Sequence, residues 1–525
     1  MIGAILAQAD EFVRPHIDWH AVAPELTLLV VGAILTIVDI IWLERARELT
    51  SALAGLGLLA VMVPIITLYS AGVADEPRVM FAGAFVVDGY ALVLKAFFVI
   101  VGYIVILLSS KYISEGDYWE SEYYGLVISS ILGMVLMASA RDLISIFVAL
   151  ELLSIPAYLL AAWRKRDLRS NEAGLKYYLM GVFATAIFLY GMSLLFGVTG
   201  TTILADLNVE LATLDNARTN PIVALGIVFV VIGFAFKVSA APFHTWAPDT
   251  YEGAPTPVTA FLSVASKAAG LVALMNLVLV GFWDRDEVYG PLLWVLAAAS
   301  MTIGNLIALR QENLVRLMAY SGVAQAGFLI APLAVAGESP ALGDQAASAI
   351  VTYLIIYAAM NLGAFGIILA VARRTRSAEV TALNGLFSHS PALAVVMTMF
   401  LASLAGIPPL GGWFAKFNVF FTLIDAGTGL GYVLAAIAAI NTVIAFGYYG
   451  RLASRIWFDD AAPEHSRGGS IDVPFALQAA LAITVIVTVV TGLGVLPWED
   501  FADIVNFADT DPVAVLAELT DAADG

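Results

Sequence analysis

Apolar runs of about twenty residues recur along the whole chain, and they constrain its fold more than any other feature. A hydrocarbon core of roughly 30 Å is crossed by about 20 helical residues, so the runs have the length of membrane spans. They are too long, and alternate too little, to be strands of a membrane barrel. Hydrophobic residues make up 61% of the chain and charged residues 13%, with a mean hydropathy of +0.89, outside the range of soluble globular proteins. The sequence therefore predicts an all-α polytopic membrane protein.

About fourteen segments of spanning length are present, and each is predicted to be a transmembrane helix. An even number of crossings places the two ends of the bundle on the same side of the membrane. The predicted segments are 24–43, 53–70, 87–109, 123–140, 143–163, 175–198, 221–240, 257–281, 291–309, 314–335, 346–372, 391–423, 430–452 and 474–496.

Basic residues are divided unevenly between the two sets of alternate loops. Sixteen fall on one side and five on the other, and the remaining four of the 25 lie inside predicted spans. Cytoplasmic loops of membrane proteins carry an excess of lysine and arginine, so the bias places both termini on the non-cytoplasmic face. The four basic residues inside spans are Lys95, Lys237, Lys267 and Lys416.

Charge and composition exclude several classes of function. The net charge of -18 comes mostly from loops and the acidic end of the chain, and it argues against a nucleic-acid partner. The chain has no cysteine, which excludes disulfides, a thiolate nucleophile and cysteine-ligated zinc or iron–sulfur clusters. The five histidines are scattered without the pairing of a haem or metal site. We therefore expect no cofactor and no metal on this chain.

Two of the predicted spans are interrupted. SAAPFHTWAPD, residues 239–249, follows the seventh segment, and GIPPLGGWFAKF, residues 406–417, lies within the twelfth. Proline and paired glycines break the helical hydrogen-bond ladder, which is tolerated in a membrane only where the freed backbone is buried in protein or faces a watery cavity. Each interruption brings a proline and an aromatic residue close to a lysine.

The interruptions are about five segments apart, which is typical of an inverted internal repeat. The symmetry is imperfect, because Lys237 precedes its interruption whereas Lys416 follows its own. The predicted organisation is helices 1–3 over residues 1–122, a first antiporter-like repeat of helices 4–8 over 123–281, a second, inverted repeat of helices 9–13 over 291–455, helix 14 over 474–496, and an acidic tail over 497–525.

Charges at membrane depth need a reason, because each costs roughly 2.5–3.5 kcal/mol at a helix centre. Glu151 lies nine residues into its predicted span, which indicates a position near the middle of the membrane. One interpretation is a carboxylate that pairs with Lys237 or Lys267 and modulates the proton affinity of that lysine. The alternative is a static ion pair that locks two helices together.

The remaining charged candidates have ordinary explanations. Asp88 and Lys95 are seven residues apart and so share a helix face, where structural pairing or snorkelling explains them as well as proton conduction does. Glu25 and Asp39 lie near the ends of the first span, where interface placement and the helix dipole account for them. His244 follows the first interruption. Its side chain could relay protons or cap the freed backbone carbonyls, and the sequence is equally compatible with both roles.

The stretch FKVSAAPFHTWAPDTYEGAPTPVTAFLSVASKAAG, residues 236–270, resembles the signature of the subunit N family of the bacterial proton-pumping NADH:quinone oxidoreductase, complex I. VALELLSIPAYLLAAWRKRDLRSNEAGLKYYLMG, NLVRLMAYSGVAQAGFL and LAGIPPLGGWFAKF resemble it as well. The resemblance covers roughly residues 20–497. The related antiporter-type subunits differ at the positions of TYEGAP and ASK, so the subunit N type is favoured.

This resemblance implies roles for four residues. Glu151 is implied to pair with Lys237, Lys267 to be the central relay, and Lys416 to lead towards the outer face. Many relatives have a histidine where Gln325 stands, so the resemblance does not imply that position 325 relays protons in this chain.

The expected function is proton translocation within complex I in the bacterial inner membrane, in contact with adjacent antiporter-like and small membrane subunits. NADH, FMN, iron–sulfur clusters and quinone are implied for partner subunits. Two alternatives are a monovalent cation/proton antiporter subunit without redox coupling and a purely structural membrane subunit.

Overall fold

The computed structural model describes residues 17–41, 46–116, 120–214, 220–461 and 469–493. At the start of this part, helices α1 (Ala23–Ile41) and α2 (Ala46–Ser70) precede a short antiparallel hairpin of β1 (Arg78–Met80) and β2 (Phe85–Val87). The predicted helical membrane class is confirmed. The hairpin was not predicted, because strands of three residues leave no usable period in the sequence.

The first half of the chain continues as a series of helices. They are α3 (Gly89–Ser114), α4 (Glu120–Ser139), α5 (Leu143–Ala161), α6 (Leu168–Thr199), the short α7 (Leu204–Thr213), α8 (Pro221–Lys237), the short α9 (Trp246–Gly253) and α10 (Thr256–Gly281). Helix α10 contains two π-helical turns, Leu262–Ser266 and Leu277–Gly281. The first of these turns ends immediately before Lys267.

The second half has the same helical character. Its helices are α11 (Asp286–Ala308), α12 (Leu314–Ile330), α13 (Pro340–Thr375), the four-residue α14 (Leu386–His389), α15 (Pro391–Ala405), α16 (Gly411–Asp425), α17 (Gly429–Phe458) and α18 (Phe475–Gly492). Short 3₁₀ turns lie at Trp283–Arg285, Ala331–Ala334, Ala336–Glu338 and Val380–Leu383.

Polar residues just before the apolar runs fix where several helices begin. Asp88, Asp142 and Asn313 accept hydrogen bonds from backbone N–H groups in the first turns of α3, α5 and α12. These bonds satisfy donors that have no partner inside the helix. The boundaries of the buried elements are therefore set by local capping as well as by hydropathy.

Twelve helices of the described residues are long and apolar enough to cross a membrane. Two shorter apolar helices, α8 and α15, begin the seventh and twelfth predicted segments. Every predicted segment thus coincides with an apolar helix, while the number of fourteen crossings stays a prediction. The last segment, 474–496, corresponds to α18. The acidic tail, 497–525, lies outside the described residues.

Both predicted helix interruptions are present. Helix α8 ends at Lys237 and is followed by Ser239 with a φ of 61°, and α15 ends at Ala405 and is followed by Gly406 with a φ of 92°. In each case an N–H beyond the helix bonds to a carbonyl five residues back, at 2.8 Å from Ala240 to Ala235 and at 3.0 Å from Ile407 to Ala402. The matching geometry closes the two helices in the same way.

The centre of the bundle is formed by α10, α12 and α13. All of the most apolar window of α10 is buried, but only 33% of the corresponding window of α6 or α17. Large apolar side chains such as Phe183 and Val443 cover the outer faces of these peripheral helices. In a bilayer such faces contact lipid or neighbouring subunits.

Candidate functional site

Lys237, the last residue of α8, is almost completely buried. Its Nζ donates to Ser154 Oγ on α5 at 2.7 Å and to Tyr177 OH on α6 at 3.3 Å. The same Nζ lies 5.7 Å from the centre of the Tyr177 ring. A Cβ at Gly270 would lie 2.9 Å from Lys237 Cγ, so the lysine stem packs on a stretch of α10 that only glycine leaves open.

Glu151 lies on α5 three residues before Ser154 and is half-buried. Its Oε1 accepts a hydrogen bond from Thr185 Oγ1 on α6 at 2.9 Å. No ion pair shorter than 4.0 Å joins Glu151 to Lys237, both of which the structure describes. The two residues implied to be partners are held apart, each on a hydroxyl group.

Lys267 begins the segment of α10 that follows the π turn. π turns in α-helices are frequent at functional sites because the additional residue redirects the side chains that follow. The buried Nζ donates to the backbone carbonyl of Gly322 on α12 at 2.5 Å. A Cβ at Gly322 would lie 3.0 Å from that Nζ and 3.3 Å from Tyr357 OH. Glycine at position 322 therefore makes room for the ammonium group.

A hydroxyl lies between the first two lysines. Tyr177 OH, which accepts from Lys237, is 3.5 Å from the Oγ of Ser266. Ser266 is the residue immediately before Lys267. The surroundings of Lys237 are therefore connected to the backbone that carries Lys267.

Lys416 lies on α16, after the second interruption, and is almost completely buried. Its Nζ donates to the backbone carbonyls of Leu404 at 3.1 Å and Ala405 at 2.9 Å, and lies 5.0 Å from the centre of the Phe328 ring. The last carbonyls of a helix have no partner within it and carry the negative end of the helix dipole. The end of α15 thus provides the acceptors for this ammonium group.

Gln325 occupies the space between the second and third lysines. Tyr353 OH donates to Gln325 Oε1, and Gln325 Nε2 donates to the Leu404 carbonyl at 3.3 Å and to Tyr449 OH at 3.5 Å. Tyr449 OH also bonds to Ser321 Oγ at 2.6 Å. Gln325 and Lys416 therefore share the Leu404 carbonyl. The sequence analysis named Gln325 but not its partners Tyr353 and Tyr449. A glutamine inside an apolar span was the available signal, because a buried amide needs hydrogen-bond partners.

Two pairs of buried charges lie in the first part of the chain. Lys95 Nζ lies 2.8 Å from Glu25 Oε1, with both side chains buried. Asp88 caps α3 and bonds to Arg141, with 3.1 Å between Oδ2 and Nη2. The pairing of Lys95 with Asp88 is wrong, because each acid takes a partner from another helix or loop. Glu25 lies in the first turn of α1, as the helix-dipole explanation expects, and its interface position stays a prediction.

Charged groups also cluster around α9, which is outside the twelve spanning helices. Asp249 bonds to Lys176 at 2.9 Å and to Arg316 at 2.8 Å, and Arg316 bonds to Glu252 at 2.9 Å. Burial alone would raise the pKa of the Asp249 carboxyl, but its hydrogen bonds to the two cations hold the pKa below its usual value. The cluster ties α9 to α6 and α12.

His244 follows the first interruption and has only 8% of its surface exposed. Its ring lies edge-on to Tyr320, with 6.1 Å between ring centres. A relay or capping role for this histidine stays a prediction. Among the residues that the structure describes, no group of three or more His, Asp or Glu side chains is placed to hold a metal ion.

Comparisons with known proteins place this geometry in a family. The family described as "NADH:quinone oxidoreductase/Mrp antiporter, TM" matches residues 140–444. NADH-quinone oxidoreductase subunit N of Trichlorobacter lovleyi is 36% identical over 485 residues, which cover 92% of this chain and 95% of the relative.

Two solved structures extend the comparison. A chain of respiratory complex I from Thermus thermophilus with bound aureothin has a TM-score of 0.73 and 29% identity, covering 91% of this chain and 98% of that one. A chain of the Mrp complex from Dietzia sp. DQ12-45-1b has a TM-score of 0.79 and 21% identity, covering 95% and 99%, and shows a likeness of fold alone.

A bundle of apolar helices, two of them interrupted beside buried lysines, defines an antiporter-like membrane subunit. The match to residues 140–444 and the 36% identity to a relative over 92% of the chain identify the group within this class. The chain belongs to the NADH-quinone oxidoreductase subunit N family. The resemblance that the sequence motifs indicated is therefore confirmed.

Proposed function

We propose that this chain is a proton-translocating membrane subunit of a respiratory NADH:quinone oxidoreductase, in which protons move through Glu151, Lys237, Lys267 and Lys416. One observation carries the proposal. Three buried ammonium groups bond to neutral oxygens, and none of the three is paired with a carboxylate in the part of the chain that the structure describes. A buried lysine with only neutral partners can release its proton without leaving an unpaired carboxylate behind.

The four residues take distinct parts. Glu151 biases the proton affinity of Lys237, because a carboxylate nearby favours the charged ammonium and desolvation disfavours it. Lys267 is the central relay, reached from the Lys237 side through Tyr177 and Ser266. Lys416 is the last lysine of the series and leads towards the outer face.

The energy needed to move a proton against the membrane potential is similar to the energy of one hydrogen bond to a buried lysine. Moving one elementary charge through 100 mV takes about 2.3 kcal/mol. A hydrogen bond to a charged group contributes about 1.5–3 kcal/mol. Exchanging one partner of a lysine can therefore shift its proton occupancy by an amount relevant to pumping.

Redox chemistry belongs to the partner subunits in this proposal. NADH, FMN, iron–sulfur clusters and quinone are bound elsewhere in the complex, and the chain's lack of cysteine means that it offers no thiolate ligands for a cluster. The exposed apolar faces of α6 and α17 are suited to contact neighbouring membrane subunits. The proposed location is the bacterial inner membrane, and the excess of basic residues in one set of loops supports an orientation with both termini on the non-cytoplasmic side.

Residues 123–281 and 291–455 are proposed to be inverted repeats. Matching backbone pairs support this assignment. Asp142, the cap of α5, forms a bridge with Ile203, and Asn313, the cap of α12, forms a bridge with Glu379. Each half contains five of the predicted spans, and an odd number turns the second half over relative to the first.

The alternative is a monovalent cation/proton antiporter subunit. It is less well supported, because the subunit N relative shares 36% identity with this chain whereas the Mrp chain shares 21%. Assay of the purified native complex separates the two functions. NADH:quinone activity with proton uptake supports the first function, and Na⁺/H⁺ exchange without that activity supports the second.

Lys267→Ala tests the proposal on the chain itself. We expect the assembled complex in membrane vesicles to retain NADH oxidation capacity when uncoupled and to lose most of its proton pumping. The double variant Glu25→Leu/Lys95→Met is a matched control, since it removes a buried ion pair outside the series without leaving a charge unpaired. Normal pumping by an assembled Lys267→Ala complex would favour the structural alternative.

A further inference from the structure

Glu151 and Lys237, the first two charges of the series, are held by different hydroxyl groups. Glu151 Oε1 accepts from Thr185 Oγ1 at 2.9 Å, and Lys237 Nζ donates to Ser154 Oγ at 2.7 Å. Ser154 and Thr185 lie on α5 and α6, the two helices that also carry Glu151 and Tyr177. Each charge therefore has a specific neutral partner in place of the opposite charge.

The hydrogen-bond directions at Ser154 are well defined. Its hydroxyl donates to the Leu150 carbonyl at 2.5 Å, which leaves the oxygen lone pairs to accept from Lys237. Ser154 is 1% exposed, so its hydroxyl is not open to bulk solvent. The serine is thus arranged as an acceptor for an ammonium group within a span.

Glu151 and Ser154 offer Lys237 two acceptors one helical turn apart. Three residues correspond to about 4.5 Å along the axis of α5. On α6, Thr185 lies eight residues beyond Tyr177, or about 12 Å along the axis, in the direction that leads away from Lys237. The ammonium group is therefore at the Tyr177 level, and the carboxylate is drawn towards the Thr185 level.

We propose that Ser154 and Thr185 are positioning residues that hold Lys237 and Glu151 apart, and that the proton-transfer cycle includes exchange of Lys237 from Ser154 to Glu151. This inference rests on the proposed function and names the groups that regulate its first step. In the separated state Lys237 contacts Tyr177 and faces the Lys267 side. In the paired state Glu151 gives up Thr185 and Lys237 gives up Ser154.

Removing either hydroxyl shifts the balance in the same direction. Thr185→Val keeps the shape of the side chain but takes away the donor to Glu151, and Ser154→Ala takes away the acceptor of Lys237. Both changes favour the direct ion pair, since a hydrogen bond to a charged group is lost only from the separated state. The pair then holds the proton on Lys237 and slows its transfer.

The experiment measures protons pumped per NADH oxidised by the assembled complex in membrane vesicles. Thr185→Val and Ser154→Ala are each expected to lower this ratio by at least about twofold, because the loss of a charged hydrogen bond changes the balance of states by about tenfold. The double variant is expected to lower the ratio further than either single variant, because both hydrogen bonds stabilise the same separated state. Thr185→Ser, which keeps the hydroxyl, is expected to restore the wild-type ratio.

Ser193→Ala is the matched control. It removes a hydroxyl from α6 that is exposed and bonds only to the Tyr190 carbonyl of its own helix. Its pumping ratio is expected to equal that of the wild type. A loss in Thr185→Val that Thr185→Ser fails to rescue would overturn the proposal, as would a double variant that pumps better than the single variants.

Lys237→Ala, assayed in parallel, separates this inference from the function on which it rests. If Lys237→Ala pumps normally, the proposed function fails at this lysine. If Lys237→Ala loses pumping while both hydroxyl variants pump normally, the function stands and the positioning role of Ser154 and Thr185 is wrong.

Discussion

Lys237 and Lys416 are both buried beside an interrupted helix, yet they are held by different kinds of oxygen. Lys237 precedes its interruption and bonds to the side-chain hydroxyls of Ser154 and Tyr177. Lys416 follows its interruption and bonds to the backbone carbonyls of Leu404 and Ala405. Side-chain partners can rotate or be exchanged, whereas carbonyls at a helix end are fixed by the fold. The first site is therefore suited to switching and the second to holding a cation in one place.

The interruptions themselves show why the sites differ. Counted from the second proline of the PP pair, Lys416 stands seven residues after Pro409, and Asp249 stands seven residues after Pro242. The residue at this distance after Pro242 is thus an acid, which lies within α9 and is bound to two cations. The two positions seven residues after the prolines therefore carry opposite charges.

Lys95 provides a third arrangement for comparison, in which the lysine is locked to a carboxylate. Lys95→Met leaves Glu25 buried without its cation, and we expect a loss of about 3–5 kcal/mol in stability. Thermal unfolding of the assembled complex measures this loss. The double variant Glu25→Leu/Lys95→Met is expected to return close to the wild type, and equal destabilisation of the single and double variants would contradict the locked pair.

Replacing the two compared lysines separates fixed from exchangeable partners. Lys416→Met removes the hydrogen bond to the buried Ala405 carbonyl, so we expect a loss of about 1–3 kcal/mol. Lys237→Met leaves Ser154 bonded to the Leu150 carbonyl, and its cost is expected to be smaller. Thermal unfolding of the two assembled variants measures which of them loses more stability. A larger loss of stability for Lys237→Met than for Lys416→Met would contradict the comparison.

Gln325 connects the second site to α13 and α17. Gln325→Leu deprives the buried Tyr353 hydroxyl of its acceptor while the Leu404 carbonyl retains Lys416, so the expected cost is about 1–3 kcal/mol with a partial loss of pumping. Gln325→His keeps a polar ring in the same place and is expected to pump better than Gln325→Leu. Equal pumping by the two variants would show that polarity at position 325 is not needed.

The cluster around Asp249 gives the smallest expected effect, because its groups are partly exposed. Its lowered pKa stabilises the folded state at pH values above the ordinary pKa of aspartate, and that stability is lost as pH falls through the lowered pKa. Arg316→Gln is expected to cost about 0.2–1 kcal/mol near neutral pH and to move acid destabilisation to higher pH. Stability of the complex measured from pH 7 downwards checks this, and an unchanged acid limb would contradict it.

The sequence was enough to predict the helical membrane class, the two interruptions and the burial of Lys237, Lys267 and Lys416, because hydropathy, proline and charge act locally. It was not enough to predict the partners of those charges. Glu25 and Lys95 come from different helices, and the hydroxyls of Ser154, Thr185 and Tyr449 have no signature that separates them from other polar residues in apolar spans.

The site also depends on backbone details that side-chain patterns do not encode. The π turn Leu262–Ser266 directs Lys267 towards Gly322. The hydropathy pattern of the sequence does not predict this turn. The hairpin of β1 and β2 is too short to give an alternating pattern. The π turn and the hairpin follow from the packing of the whole bundle, and the sequence of a single segment is not enough to predict them.

The central claim is that Lys237 exchanges its partner while Lys416 keeps its own. Its most direct test is the position of the two Nζ atoms in experimental structures of the whole complex at rest and during NADH turnover. The account predicts a resting state with Lys237 on Ser154 and a turnover population with Lys237 on Glu151, while Lys416 stays on Leu404 and Ala405 in both. A Lys237 that keeps Ser154 throughout turnover, or a Lys416 that leaves the carbonyls, would contradict it.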